Sequence, residues 1–393
     1  MGGPPQRGTR PDAPTPCPGF DRSRPDPEQA AGEQHAELRH RTEDPSDPAS
    51  CRRLQGLLLR PAFRGGRFPH GAPPRHPVPA TRHAEERRRF LRHHRRPERG
   101  AVTADSPGAG ARAVVVGASG QLGREVADEL RRRGVEVLAA DRRRADLTDT
   151  EATAALAGRF DADAVYNCAA YTDVDGCESE PEAALETNGR APARLATALP
   201  GHCRLIHVST DYVFDGRGRR PYREEDATAP ATVYGRSKLA AEQAVADAGG
   251  LVVRTSWVFG PEGRNFVSAI ADRLGRGETL RVVSDQVGCP TYAPYLARAL
   301  VDLHAAAAAG IVHYCNSPAT SWHGFAVAIV AALGLNAEVE PIATADLPRP
   351  AVRPAYSVLD TGRFESLTNR RVEEWRPGLD DYFARLGQGK AEA

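Results

Sequence analysis

Tyr234 and Lys238 stand four residues apart in Tyr-Gly-Arg-Ser-Lys, a spacing that puts both side chains on one face of a helix. A free phenol titrates near pH ~10 and gives up its proton poorly at neutral pH, but a nearby cation stabilises the phenolate and lowers that value. The lysine is informative because 50 of the 52 basic residues are arginine, and Lys238 and Lys390 are the only lysines. A compact ammonium can tune a phenol and hold a ribose hydroxyl, which a planar guanidinium does less well. Upstream, in Ser-Thr-Asp-Tyr-Val-Phe-Asp-Gly over 209–216, Thr210 offers a hydroxyl that can orient a carbonyl beside that phenol. A hydride donor on one face, a proton donor at the oxygen and no metal are the parts needed to interconvert a carbonyl and a carbinol.

The hydride donor has its own signature. Ala113 to Val116 form an apolar run, Gly117-Ala-Ser-Gly120-Gln121-Leu122-Gly123 follows at once, and Val126, Ala127 and Leu130 then line one helical face up to Gly134. Strand, glycine turn and helix in that order bind a dinucleotide: one glycine makes the tight turn, the next admits a pyrophosphate to backbone N–H groups, and the last allows close helix packing. Asp141 ends the second strand and is placed for ribose hydroxyls, favouring NAD, whereas Arg142, Arg143 and Arg144 could hold a 2′-phosphate. NADPH and NADH both remain open as the cofactor.

Strands over 113–116, 135–140, 164–170, 204–209 and 251–255, with helices over 124–133, 181–199 and 233–248, predict an α/β fold, a doubly wound parallel Rossmann sheet. In such a sheet Gly117, Ala169 to Tyr171 and Ser209 to Tyr212 face one cleft beyond the carboxyl ends of the strands. Residues 112–264 form the expected NAD(P)-binding domain with the catalytic residues. Residues 265–393 are expected to be mainly a smaller C-terminal α/β substrate lobe, with helices over 266–274, 295–309 and 322–333 and a strand over 310–314. Loops at 285–291 and 353–359 are expected between the lobes and near the nucleotide.

Residues 1–111 read differently. The first 100 residues carry 20 arginines, no lysine, 12 acids and 17 of the 32 prolines, net +8, against net −7 for the rest. They show no lasting hydrophobic period and predict a disordered Arg/Pro-rich extension. The basic stretch 82–99 lacks interleaved aromatics and reads as a solvated leader, so no nucleic-acid partner is expected for the folded domain. No apolar run reaches the roughly 18–20 residues of a membrane span, and the seven cysteines show no CxxC pair. The expectation is a soluble, cytoplasmic protein with reduced thiols.

Together these motifs resemble the extended short-chain dehydrogenase/reductase family and, within it, the dTDP-4-dehydrorhamnose reductases, over about 112–378. The likeness is carried by GASGQLG (117–123), NCAAYTDVDGCESEP (167–181), STDYVFDG (209–216), YGRSK (234–238), RTSWVFG (254–260), NFV (265–267) and SDQVGCPT (284–291). The resemblance implies reduction of the C4 ketone of dTDP-4-dehydro-β-L-rhamnose by NADPH or NADH, giving dTDP-L-rhamnose for cell-surface polysaccharide. It implies Tyr234 as proton donor, Thr210 as its hydrogen-bonding partner at the oxygen, and Lys238 on the nicotinamide ribose. It places Gly120, Gln121 and Leu122 at the pyrophosphate, Asp141 at the ribose, Asp146 and Leu147 at the adenine, and Ala169, Ala170 and Tyr171 along the middle of the cofactor. Thr210, Asp211 and Trp257 would touch the sugar nucleotide. Tyr171 stands where the family has His, and Cys168 where it has Ala. A homodimer and a Mg2+ ion at a subunit contact are left open. Other readings are a reductase of another dTDP-4-keto-deoxysugar, an epimerase or dehydratase, and a non-catalytic regulatory subunit. Tyr212 after Asp211, where the dehydratases carry Glu, argues against elimination.

Overall fold

The computed structural model describes Gly3 and residues 110–388. Apart from Gly3, Gly110 and Ala111, the expected extension therefore falls outside the described residues, with its basic stretch 82–99, Cys17 and Cys51. Within them the chain opens with β1 (Arg112–Val116), whose Ala113 to Val116 are all buried, as a strand covered on both faces requires. It continues through α1 (Gln121–Arg132), β2 (Glu136–Ala140), α2 (Thr150–Arg159), β3 (Ala164–Asn167), α3 (Val174–Ser179) and α4 (Pro181–Leu185). A π-turn at Glu186–Arg190 leads to α5 (Ala191–Ala198), β4 (Arg204–Thr210), α6 (Val233–Asp247) and β5 (Leu251–Thr255). There follow β6 (Val258–Phe259), α7 (Phe266–Gly275), β7 (Leu280–Val283), β8 (Val287–Gly288), β9 (Thr291–Tyr292), α8 (Ala293–Ala305) and β10 (Gly310–His313). The last elements are β11 (Thr320–Ser321), α9 (Trp322–Ala332), β12 (Val339–Ile342), α10 (Gly362–Thr368) and α11 (Trp375–Gln388).

Six strands pair in parallel in the order β10-β5-β4-β3-β1-β2. Val116 lies opposite Ala140 on one side and Asn167 on the other. The strand order reverses at β1, so the crevice above the carboxyl ends of β1 and β3 is where such a sheet takes a ligand. One face is covered by α1 and α8 through Val126, Leu130, Leu296 and Leu300, the other by α2, α5 and α6 through Ala157, Leu195, Ala241 and Val245. Each fully buried Val or Leu contributes about 1.5–3 kcal/mol relative to exposure.

Two differences from the sequence reading matter. The helix and strand expected over 295–309 and 310–314 do not belong to the second lobe: α8 packs on α1, and β10 pairs with β5, Ile311 opposite Val252. An apolar helical face shows that a helix is buried but not against which core, so the assignment failed at that step. The second lobe is instead assembled from α7, β7, α9, β12 and α11 around Phe259, Ile270, Phe325, Ile329 and Trp375. The strand expected over 164–170 ends at Asn167, which frees Cys168 to Tyr171 to line the crevice. The helix expected over 181–199 is interrupted by the π-turn. No helix among the described residues is long and apolar enough to cross a membrane.

Candidate active site

β1 passes into α1 through the glycine turn. Gly117 has φ of 77°, and a Cβ there would stand 2.8 Å from the Ala169 nitrogen, so only glycine lets the ends of β1 and β3 meet. Gly123 backs onto the same turn, where a Cβ would fall 2.2 Å from the Gly117 carbonyl oxygen. The helix starts from Gly120 with no side-chain cap and no acid in its first turn, leaving the positive end of the helix for an anion. A cavity of about 610 Å³ covers the turn, lined also by Arg142, Asp146, Leu147, Ala169, Ala170 and Tyr171.

Asp141 is not among the residues lining that cavity. Its Oδ1 accepts from the backbone N–H groups of Arg143 and Arg144, both at 3.1 Å, and so closes its own turn, while Arg142 lines the cavity 3.2 Å from Asp146. Tyr171 is also held internally: its N–H donates to Asn188 Oδ1 at 2.8 Å, and its carbonyl accepts from Asn188 Nδ2 at 3.0 Å. Asn188, buried in the π-turn and also donating to Ser237 Oγ at 3.0 Å, escaped the sequence reading. A single asparagine inside a helical pattern gives no signal, and π-turns have no sequence signature while often marking functional sites.

A second cavity of about 530 Å³ shares Gly120, Cys168, Ala169 and Ala170 with the first, and brings together Gln121, Leu122, Thr210, Asp211, Tyr234, Lys238 and Trp257. Thr232 caps α6 by accepting from the Gly235 N–H at 3.0 Å, which places Tyr234 and Lys238 on the first turns over β4. The Tyr234 ring meets Tyr212 edge-on, centroids 5.6 Å apart. Thr210 Oγ donates to Asp211 Oδ1 at 3.0 Å and accepts from the Tyr212 N–H at 3.2 Å.

Burial raises the Tyr234 phenol above its ordinary value, and the Thr210 hydroxyl only partly offsets this. That departs from the expectation of a phenol lowered by Lys238: the largest influence on the phenol is desolvation, which favours its protonated form. Burial also pulls Lys238 down to about 8, against Glu242 and Cys168. Burial pushes Asp211 up to about 6, against hydrogen bonds from Ser357 and Thr210, and its Oδ2 has no hydrogen-bond partner among the described residues.

A third cavity of about 570 Å³ shares Val174, Tyr212 and Trp322 with the second and is lined by Arg273, Arg281, Arg349 and Arg353. Arg349 and Arg353 lie 3.3 and 2.8 Å from Asp175. Trp257 has φ of 46°, in the left-handed region, and stacks on Trp322 with centroids 3.6 Å apart and planes 8° from parallel; a bulky residue there marks a constrained position. The loops expected at 285–291 and 353–359 pair with each other, the Val287 N–H donating to the Ala355 carbonyl and the Ser357 N–H to the Val287 carbonyl. Trp322 and Arg349 were not singled out from the sequence, although two arginines among the prolines of 348–354 were a usable signal.

Among the described residues of this single chain no group of three or more His, Cys, Asp or Glu could hold a metal ion. The five cysteines described are all free. The uncapped helix start, the glycine turn and the two joined cavities do fit an extended dinucleotide with its pyrophosphate over Gly120.

The family described as RmlD substrate binding domain matches residues 111–388. A dTDP-4-dehydrorhamnose reductase from Streptomyces griseus is 42% identical over 287 residues, 70% of this chain and 93% of that protein. Crystal structures of dTDP-4-dehydrorhamnose reductases from Clostridium acetobutylicum and from Bacillus anthracis, the latter in complex with NADP, each superpose with a TM-score of 0.67 over 70% of this chain and 99% of theirs, at 36% and 31% identity. Sheet, crevice and likeness agree, and the chain belongs to the dTDP-4-dehydrorhamnose reductase family of nicotinamide-dependent oxidoreductases.

Proposed function

We propose that this protein reduces the C4 ketone of dTDP-4-dehydro-β-L-rhamnose to dTDP-L-rhamnose with NADPH as the preferred cofactor. The observation that carries the reading is the run of three joined cavities with the Tyr234 phenol in the middle one. The glycine turn and the start of α1 would hold the cofactor pyrophosphate, and Asp146 and Leu147 line the same cavity. When bound there, the cofactor would supply the hydride that reduces the carbonyl carbon.

The side chains of this chain supply the rest. Tyr234 gives its O–H proton to the carbonyl oxygen, and a phenol held protonated by burial is in the right state to do so. The Thr210 hydroxyl, beside the phenol, would turn its one hydrogen from Asp211 to that oxygen, orienting it and stabilising the charge that builds on it. Lys238 restores the proton that Tyr234 loses and holds the nicotinamide ribose. On the sugar-nucleotide side, the guanidiniums of Arg349 and Arg353 match a diphosphate, and Phe266 and Trp322 offer faces for a base.

NADPH is favoured because the Asp141 carboxylate is turned into its own loop and Arg142 lines the cavity instead, an arrangement that suits a 2′-phosphate. The test follows absorbance at 340 nm with dTDP-4-dehydrorhamnose generated in place. Stoichiometric oxidation of NADPH to give dTDP-L-rhamnose is expected, with a lower KM than for NADH. Cofactor binding without oxidation would overturn the reading of the substrate.

A further inference from the structure

Behind Lys238 lies a pair of buried polar side chains that the reduction described above does not use. His207 on β4 is fully buried, and Asn167 at the end of β3 is nearly so. Asn167 Nδ2 stands 3.0 Å from His207 Nδ1, and His207 Nε2 stands 3.4 Å from Lys238 Nζ. The Asn167 amide has a fixed sense, because its other end receives the Ala169 backbone N–H at 3.1 Å and only an oxygen can accept there. The NH2 group of Asn167 therefore donates to His207 Nδ1, which must carry a lone pair. His207 is held neutral by burial and by the charge of Lys238, so its one hydrogen resides on Nε2 and points at Lys238.

An ammonium has donors only, whereas an amine can accept that hydrogen. We propose that Asn167 and His207 form a positioning unit that directs a hydrogen from Nε2 at Lys238, favours its amine form, and so makes the ammonium proton of Lys238 readily transferable. The other groups around Lys238 do not account for this alone. Tyr234 and Glu242 lie one turn away on α6, and Glu242 is held by Arg254 of β5 at 2.5 Å and by the Ser209 hydroxyl of β4 at 2.6 Å. His313 of β10 faces Arg254, Cys168 follows β3, and Glu178 of α3 accepts from the Val233 N–H at the start of α6. Tyr212 and Asp211, after β4, lie against Tyr234 instead. The benefit to turnover is direct: each reduction leaves Tyr234 without its proton, and a lysine that releases a proton easily restores it sooner.

The proposal gives the assigned role of Lys238 a structural cause, and it rests on that role only for its effect on turnover. The sequence makes a direct test feasible, since protein grown with lysine labelled with carbon-13 at Cε shows two lysine signals, Lys238 and Lys390, with Lys390→Arg assigning them. Lys238 is expected to titrate well below Lys390. His207→Gln, whose amide can turn a carbonyl to the ammonium, is expected to raise the Lys238 midpoint by about one unit, a tenfold change in proton affinity. The high-pH limb of kcat/KM should move up with it, which a merely structural role would not produce. In the unaltered protein, nitrogen-15 spectra of the imidazoles should show His207 with a bare Nδ1 and a protonated Nε2. An Nδ1–H tautomer, or an unmoved Lys238 midpoint in His207→Gln, overturns the proposal. A moved midpoint with full turnover in Lys238→Met supports it and refutes instead the role given to Lys238 in the reduction.

Discussion

Asp211 is 2% exposed, its Oδ1 takes the Thr210 hydroxyl, and its Oδ2 has no hydrogen-bond partner among the described residues. Burial therefore raises it from 3.8 to about 6. A carboxyl whose folded value lies above its unfolded value binds its proton more tightly in the native state, so its contribution to stability is complete below pH ~4 and is lost as pH rises through 6. Two units at about 1.4 kcal/mol each put the whole effect on the order of 3 kcal/mol, of which about 2 falls between pH 4.5 and 8. Asp211→Asn removes the titration, keeps an oxygen for Thr210 and carries no charge at any pH. Urea unfolding of both proteins at pH 4.5, 6 and 8 should show the variant gaining on the parent by about 2 kcal/mol across that range. Subtracting one curve from the other cancels every other titrating group. The KM for the keto-sugar should rise in the same variant, since the carboxylate lines the cavity beside Thr210 and Tyr234. Two stability curves that run parallel would refute the reasoning, because an Asp211 that titrates alike folded and unfolded is neither desolvated nor strained.

Tyr234→Phe should lower kcat by at least about 100-fold, the usual scale for losing a positioned proton donor, while fluorescence titration shows NADPH binding intact. Arg142→Ala should raise the KM for NADPH about tenfold and leave that for NADH nearly unchanged; equal effects on both would remove the 2′-phosphate assignment. Asn188→Ala loses the hydrogen bonds that hold Tyr171 and Ser237, so it should cost about 1–3 kcal/mol in urea unfolding and weaken cofactor binding with it. Arg353→Ala should raise the KM for the sugar nucleotide with kcat retained, and a fall in kcat alone would place Arg353 outside the nucleotide subsite.

The parts of this molecule legible in its sequence are those where a local pattern has one physical outcome. Ala113 to Val116 followed by Gly117 can hardly be other than a buried strand and a left-handed turn, and Tyr234 and Lys238 share a helix face by spacing alone. What could not be read depends on contacts between distant segments. The assignment of α8 and β10 to the sheet rests on Leu296 and Leu300 meeting Val126 and Leu130 rather than Phe325, and nothing within 295–314 distinguishes the two cores. Protonation states follow the same rule. From the sequence, Lys238 should lower the Tyr234 phenol, since charge and spacing are visible there; in the fold, desolvation raises it, because burial depends on Tyr212, Thr210 and the end of β4 arriving together. The outcome still favours reduction. In the proposed reduction a phenol that stays protonated suits a donor rather than a base, and a lysine drawn down to about 8 suits a group that returns a proton. The protonation state of each of the two side chains thus depends on its desolvation, which the four-residue spacing alone does not disclose.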